Sequence, residues 1–320
     1  MTPTRPLRGA VATGLGFGAA QIGNLYRATS DDEARSAVDE AWRSGIRYFD
    51  TAPHYGLGLS ERRLGEALKG RVRDKFVVST KVGRLLTPTP DLAAAGQQDS
   101  DGFAVPATHR REWDFSRDGI LRSIEESLNR LQLDRLDIVY LHDPDEHWHE
   151  ASTTGVDTLV ELRDESVIGA IGAGMNQTAM LTRFVRECDV DVVMVAGRFT
   201  LLDRTALDDL LPAALERGVA VVAAAVYNSG LLSSSSISDD AVFDYEQASP
   251  DVIAAARSLA TTCRSVGVDL PAAAVQFPLR HPAVESVVVG MRSAAQVRST
   301  AARFRSAIQD DAWRALESSA

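Results

Sequence analysis

The chemical interest of this sequence lies in four side chains: Asp50, Tyr55, Lys81 and His142. Asp50 ends the run RYFD, Lys81 follows FVVST and His142 follows DIVYL. Tyr55 stands five residues beyond Asp50 in DTAPHYG. A tyrosine, with an ordinary pKa of about 10, exchanges protons poorly at neutral pH. A nearby ammonium such as Lys81 is expected to lower that value by stabilising the phenolate. Asp50 would hold the lysine, and His142 would orient a substrate oxygen. Such a set suits proton-coupled hydride transfer, in which a tuned general acid/base contributes about 10²–10⁴-fold. Taken singly, each residue has an ordinary reading: Asp50 as a strand-end cap, Lys81 as a solvated surface group, His142 as a structural histidine. Four complementary groups placed at or just past apolar runs are expected to point into one mouth.

Those runs set the architecture. Strand-like segments fall at 47–50, 76–80, 136–141, 167–173, 190–195, 219–226 and 286–289, with a glycine-rich eighth at 14–18. They are nearly continuous in apolar residues, the pattern of parallel strands covered on both faces. Helical spacing follows at 30–42, 116–131, 203–217, 250–266 and 293–308. Ser30 and Glu33 stand at capping-box spacing, and Gly218 and Gly267 sit where helices stop. Strand–helix units in series predict an α/β fold, and at 320 residues a closed (β/α)8 TIM barrel is favoured over an open doubly wound sheet. The whole chain, 1–320, reads as one barrel domain. Two irregular stretches, 83–115 and 229–249, are expected to hang over the C-terminal mouth, where barrel active sites are built.

Composition excludes several alternatives. With 34 basic against 44 acidic side chains, the net charge of −10 repels phosphate backbones and anionic lipid, so no nucleic-acid or membrane partner is expected. Cys188 and Cys263 form no CxxC pair and are read as buried, reduced thiols, with no metal site. No signal peptide is read at the N-terminus, and the apolar stretch 219–226 is far too short to span a bilayer, so a cytoplasmic location is expected. The other histidines, His54 among them, are read as structural or surface. GLGFG lacks the third glycine of a dinucleotide fingerprint.

The segments FDTAPHYGLGLSERRLGEAL, STKVG, DIVYLHDPD and GAGMN together resemble the active-site blocks of the aldo-keto reductase superfamily. The resemblance spans nearly the whole chain. It implies a catalytic tetrad of Asp50, Tyr55, Lys81 and His142, and a nicotinamide dinucleotide bound without metal. Asn176 matches the asparagine that bonds the carboxamide, and Tyr227 the aromatic that stacks on the nicotinamide. Asn228, Ser229, Gly230 and Leu231 continue that cofactor segment. Gly290, Arg292, Ser293 and Gln296 fall at the junction that grips the adenosine end. NADPH-preferring relatives carry an arginine where Gln296 stands, and Ser299 and Thr300 also depart from the family pattern. NAD is therefore the expected cofactor, with NADP use left open through compensation by Arg292. A glutamine usual beneath the carboxamide is missing from 194–200.

APHYGLGLSERRLG, VAGRFTLLDR and YNSGLL are similar to the bacterial branch of L-fucose and D-threo-aldose 1-dehydrogenases and pyridoxal 4-dehydrogenase. The shared chemistry implied is oxidation of a cyclic hemiacetal to a lactone, with an aldose ranked just ahead of pyridoxal as the small-molecule substrate. Asp143, Asp145, Arg198 and Asn228 could meet sugar hydroxyls, and Trp113 could stack on a ring. A general aldehyde or ketone reductase, a nucleotide-binding regulatory subunit and a metal-dependent sugar isomerase using Asp50, His142 and Asp143 stay open at this stage. Oligomeric state is not legible.

Overall fold

The structure, a computed structural model, describes residues 4–7, 10–244 and 246–318. Eight parallel strands close into a barrel: β1 (Leu15–Gly18), β2 (Tyr48–Asp50), β3 (Val77–Val82), β4 (Leu136–His142), β5 (Ile168–Met175), β6 (Val192–Ala196), β7 (Ala220–Ala224) and β8 (Val284–Gly290). Each pairs with the next in sequence, and β8 returns to β1 through Val287↔Leu15 to Gly290↔Gly18. All eight expected strands are present, so the (β/α)8 expectation holds.

Strand alternation splits the core in two. Tyr48, Val77, Ile138, Tyr140, Ala170, Val192, Met194, Val222 and Val288 fill the barrel interior. Phe17, Phe49, Val78, Val139 and Ile171 point outward against the helices. The Tyr48 ring fits because β1 offers Gly16 opposite it. A Cβ there would lie 2.9 Å from Tyr48 Cδ1 and 3.0 Å from Val288 Cγ2.

The helices that bear on the site are α1 (Asp31–Arg43), α2 (Leu59–Leu68), α3 (Arg117–Leu131), α4 (Val156–Asp164), α5 (Thr178–Glu187), α6 (Leu210–Arg217), α7 (Pro250–Ser265), α8 (Leu270–Gln276), α9 (Ala294–Arg305) and α10 (Asp310–Ser318). Ser30, Ser116, Ser249 and Ser293 each cap a helix by accepting from the amide three residues on. Gly218 ends α6 with φ +66°, the left-handed stop its position predicts.

Four expectations change in detail. The helix expected from 203 begins only at Leu210, because Thr200 Oγ1 accepts from the amides of Leu202 and Asp203, and Asp203 Oδ1 from that of Thr205. These local bonds offer the backbone an alternative to helix. β7 stops at Ala224 because Ala225 adopts φ +53°. Segment 83–115 is not a plain loop: Arg84–Pro88 and His109–Trp113 form an antiparallel hairpin, with a helical turn at Pro90–Ala94. Cys263 is buried as expected, but Cys188 is only half-buried; both thiols are free. Among the described residues, no helix is long and apolar enough to cross a membrane.

Candidate active site

Asp50, Lys81 and His142 close the C-terminal ends of β2, β3 and β4, all facing inward, and Tyr55 rises from the turn after β2. Lys81 Nζ lies 3.0 and 2.9 Å from the two Asp50 oxygens, 3.0 Å from Thr51 O and 3.2 Å from Tyr55 OH. An ammonium has three protons and no lone pair. It therefore donates to Asp50, to the Thr51 carbonyl and to the phenol oxygen, which leaves the Tyr55 proton free to face the cleft. The His142 ring meets the Tyr55 ring edge-on, with centroids 6.0 Å apart.

Burial is the dominant electrostatic fact here. It raises the Tyr55 phenol above its ordinary value, and the Lys81 ammonium works against that rise. The expected net lowering is thus overturned: desolvation outweighs the nearby cation. Burial likewise disfavours the Lys81 charge, but Asp50 and Tyr55 overcome it and hold the amine well above its usual value. His142 is driven well below 6.5 by burial and by the cations Arg84 and Lys81, so its imidazole is neutral. A neutral imidazole can hydrogen-bond an oxygen but is a poor proton donor.

A cleft of about 540 Å³ opens over these four residues. Of the expected cofactor residues, Asn176, Tyr227, Asn228, Ser229, Gly230, Gly290 and Gln296 line it. Leu231 packs into the core, and Ser293 caps α9 beside the cleft. The Asn228 Nδ2 group donates to Gly197 O (3.3 Å), whereas its Oδ1 is buried without a hydrogen-bond partner among the described residues. Such an orphan acceptor in a cleft fits a ligand rich in hydroxyl and amide donors, as a nicotinamide dinucleotide is.

Arg292 departs from expectation. It is buried outside the cleft lining, and its guanidinium donates to Gln21 Oε1 (2.6 Å), Leu25 O (2.8 Å), Thr29 Oγ1 (3.1 Å) and Arg27 O (3.2 Å). With four hydrogen bonds to the β1–α1 loop, it braces that loop rather than turning into the cleft. Arg303, one α9 turn beyond Ser299 and Thr300, lines the cleft instead and pairs with Asp269 at 3.0 Å.

The substrate candidates separate. Asp143 lines the cleft in a left-handed conformation (φ +41°), with an oxygen 3.6 Å from His142 Nε2 and an ion pair to Arg84. Asp145 does not line it. Arg198 pairs with Asp244 (2.7 Å), and it is Asp244 that faces the cleft. Trp113 is 44% exposed, on the hairpin rather than in a loop, with the Arg84 guanidinium 4.4 Å above its ring.

Sequence reasoning missed one wall. His54 lines the cleft, its ring 5.5 Å from His142 and 5.3 Å from Phe103, so the structural-or-surface reading is corrected. Burial and the cations Arg111, Arg84 and Lys81 push it down to about 2. Phe103 and Arg111 come from the hairpin excursion, which is stitched to the β1–α1 loop by Tyr26 N to Gly102 O (2.8 Å) and Ala104 N to Asn24 O (2.9 Å). Arg111 donates to the His54 carbonyl (2.9 Å) and pairs with Asp99 and Asp101. The adjacency of His54 to Tyr55 was the available signal. A larger hollow of about 700 Å³ lies at the N-terminal ends of β6, β7 and β8, away from all four residues.

The sequence pattern of the aldo/keto reductase family matches residues 14–320. A D-threo-aldose 1-dehydrogenase of Pseudomonas sp is 49% identical over 300 residues, covering 93% of this chain and 91% of the relative. A pyridoxal 4-dehydrogenase of Microbacterium luteolum is 37% identical over 326 residues, covering 97% and 94%. Among solved structures, the glycerol dehydrogenase of Gluconobacter oxydans superposes with a TM-score of 0.79 at 22% identity, covering 99% of this chain and 94% of that one, a likeness of fold. The chain belongs to the aldo/keto reductase family. It is an oxidoreductase enzyme of a family that uses NAD(P)H.

Proposed function

We propose that this enzyme oxidises the cyclic hemiacetal carbon of an aldose to a lactone, with Asp50, Tyr55, Lys81 and His142 as its catalytic set. The observation that carries the reading is the Lys81 ammonium held between Asp50 and the Tyr55 oxygen, 3.2 Å from the latter, at the floor of the cleft. The aldose assignment is supported by the 49% relative, and by the polar wall of Asp143, His54 and Asp244, which suits a substrate with several hydroxyls.

When bound, the nicotinamide supplies the hydride acceptor. Tyr55 accepts the proton of the anomeric hydroxyl as the C1–H bond breaks and the carbonyl forms. Lys81 stabilises the phenolate that must precede this transfer. Neutral His142 bonds the same substrate oxygen and fixes its direction. Asn176 and Tyr227 would seat the nicotinamide, Asn228 to Gly230 the middle of the cofactor, and Gly290, Ser293 and Gln296 the adenosine end. NAD is the preferred cofactor in this reading, because Gln296 carries no charge and Arg292 is locked into the β1–α1 loop.

Three experiments test it. Incubation with NAD and a panel of L-fucose, D-arabinose and pyridoxal gives reduced-nicotinamide absorbance and a lactone with a sugar. Turnover of pyridoxal alone replaces the aldose reading, and no turnover despite tight NAD binding removes the hemiacetal reading altogether. Activity that survives chelators sets aside the metal-dependent isomerase. Gln296→Arg shifts the NADP/NAD ratio of kcat/KM upward by about 10-fold or more, the scale of one charge-assisted contact to phosphate. An unchanged ratio contradicts the placing of Gln296 against the adenosine end of the cofactor.

A further inference from the structure

Directly beneath the four polar groups the barrel interior holds a second polar layer. On β2, β3 and β4 the inward positions one step below Asp50, Lys81 and His142 are Tyr48, Ser79 and Tyr140, each essentially inaccessible to solvent. Ser79 Oγ lies 2.7 Å from Asp50 Oδ1 and 3.1 Å from Tyr48 OH, and Tyr48 OH lies 3.3 Å from Tyr140 OH. A hydroxyl has one proton, and the Asp50 carboxylate can only accept. Ser79 therefore gives its proton to Asp50, its shorter contact, and the contacts with Tyr48 and Tyr140 continue the layer beneath it. Burial and the Asp50 charge push both phenols above their ordinary value, so both keep their protons.

We infer that Ser79 is a positioning residue: its O–H dipole points at Asp50 and sets how readily Tyr55 gives up its proton. A hydrogen bond of this kind is stronger in a low-dielectric interior than in water. The layer beneath Ser79 ends at Tyr140 among Ile138, Ala170 and Val192, in apolar packing rather than in solvent. Ser79 acts as a fixed dipole, not as a path for protons. The cluster of Tyr55, Lys81 and Asp50 is neutral when the phenol is protonated and carries one negative charge when it is not. A dipole aimed at the carboxylate favours the charged state, and its loss should raise the pH at which Tyr55 ionises.

This rests on Tyr55 being the proton-transferring residue. The other groups facing Tyr55 are His142 at the end of β4, Asp143 just after it and His54 beside it, with Arg84 and Arg111 of the hairpin behind His54. None of them hydrogen-bonds Ser79 Oγ, so variants at Ser79 leave that surrounding charge in place.

The test is the pH profile of kcat for substrate oxidation in the full-length enzyme with NAD. Ser79→Ala removes the dipole on the carboxylate. Its ascending limb moves up by about one pH unit and kcat at neutral pH falls about 10-fold, the scale of one hydrogen bond to a charge, while KM stays near wild type. Ser79→Cys, which keeps a weaker donor, moves the limb the same way by less. Ser79→Thr, which keeps the hydroxyl, restores the wild-type profile. A Ser79→Ala profile that superimposes on wild type overturns the inference, as does a Ser79→Thr profile shifted as far as that of Ser79→Ala. Should Ser79→Ala fail to fold, the Ser79→Cys shift decides: none at all overturns the proposal. If Tyr55→Phe retains full turnover, the catalytic reading itself has failed. If Tyr55→Phe is inactive and the Ser79→Ala limb is unmoved, only the role of Ser79 has.

Discussion

Tyr55→Phe lowers turnover by at least about 10²-fold while NAD affinity stays near wild type. The substitution keeps the ring, and with it the packing against Phe103 and His142, whose centroids lie 6.1 and 6.0 Å away. It deletes only the hydroxyl that faces the cleft. No neighbour readily takes over as base, because burial and the surrounding cations push His54 and His142 down and make both weak proton acceptors, and Lys81 is held charged by Asp50. Steady-state assays paired with titration of protein fluorescence by NAD separate the two effects. A variant losing affinity and turnover together would place Tyr55 in cofactor binding instead.

Lys81→Met has the second large effect, and it reaches stability as well as rate. The phenol loses the one cation in direct contact with it, so its proton is held more tightly. In the wild-type enzyme the rate of oxidation climbs with pH, since a phenol raised by burial must be deprotonated before it can accept the substrate's proton. In Lys81→Met that climb moves to higher pH, and turnover near neutrality drops by about 10²-fold or more. The variant also leaves Asp50 as a buried carboxylate without its counter-charge, bonded only by Ser79. Breaking one side of a buried pair costs about 3–5 kcal/mol. Denaturant unfolding should show this loss, and adding Asp50→Asn to Lys81→Met should recover much of the stability without recovering activity. Equal stability of wild type and Lys81→Met contradicts the buried-pair description.

Most of the barrel and the four polar groups were legible in the sequence, for a physical reason. Parallel strands covered on both faces must be apolar along their length, so Asp50, Lys81 and His142 stand out where the runs end. The other wall was not legible. Phe103, Arg111 and Arg84 back His54 from the excursion 83–115, whose hairpin depends on pairing Arg84–Pro88 with His109–Trp113 across some twenty residues of irregular sequence. His54 was passed over because a lone histidine carries no signal until Phe103 and Arg84 are known to pack on it. Arg292 was misjudged for the opposite reason. Its place at the β8–α9 junction is right, but only the structure reveals the four acceptors of the 21–29 segment that consume its donors. The buried hydroxyl layer of Ser79, Tyr48 and Tyr140 is visible in sequence only as polar residues two positions before Lys81, Asp50 and His142, a spacing that acquires meaning once the three strands are neighbours.

The most direct test is a crystal structure of the enzyme with NAD and an unreactive sugar analogue bound together. The account predicts the anomeric oxygen of the analogue within about 2.6–3.2 Å of both Tyr55 OH and a His142 ring nitrogen, hydrogen-bonding distance for the transferred proton. An analogue seated in the cleft with that oxygen turned toward Asp143 or Asp244 and out of reach of Tyr55 would contradict it.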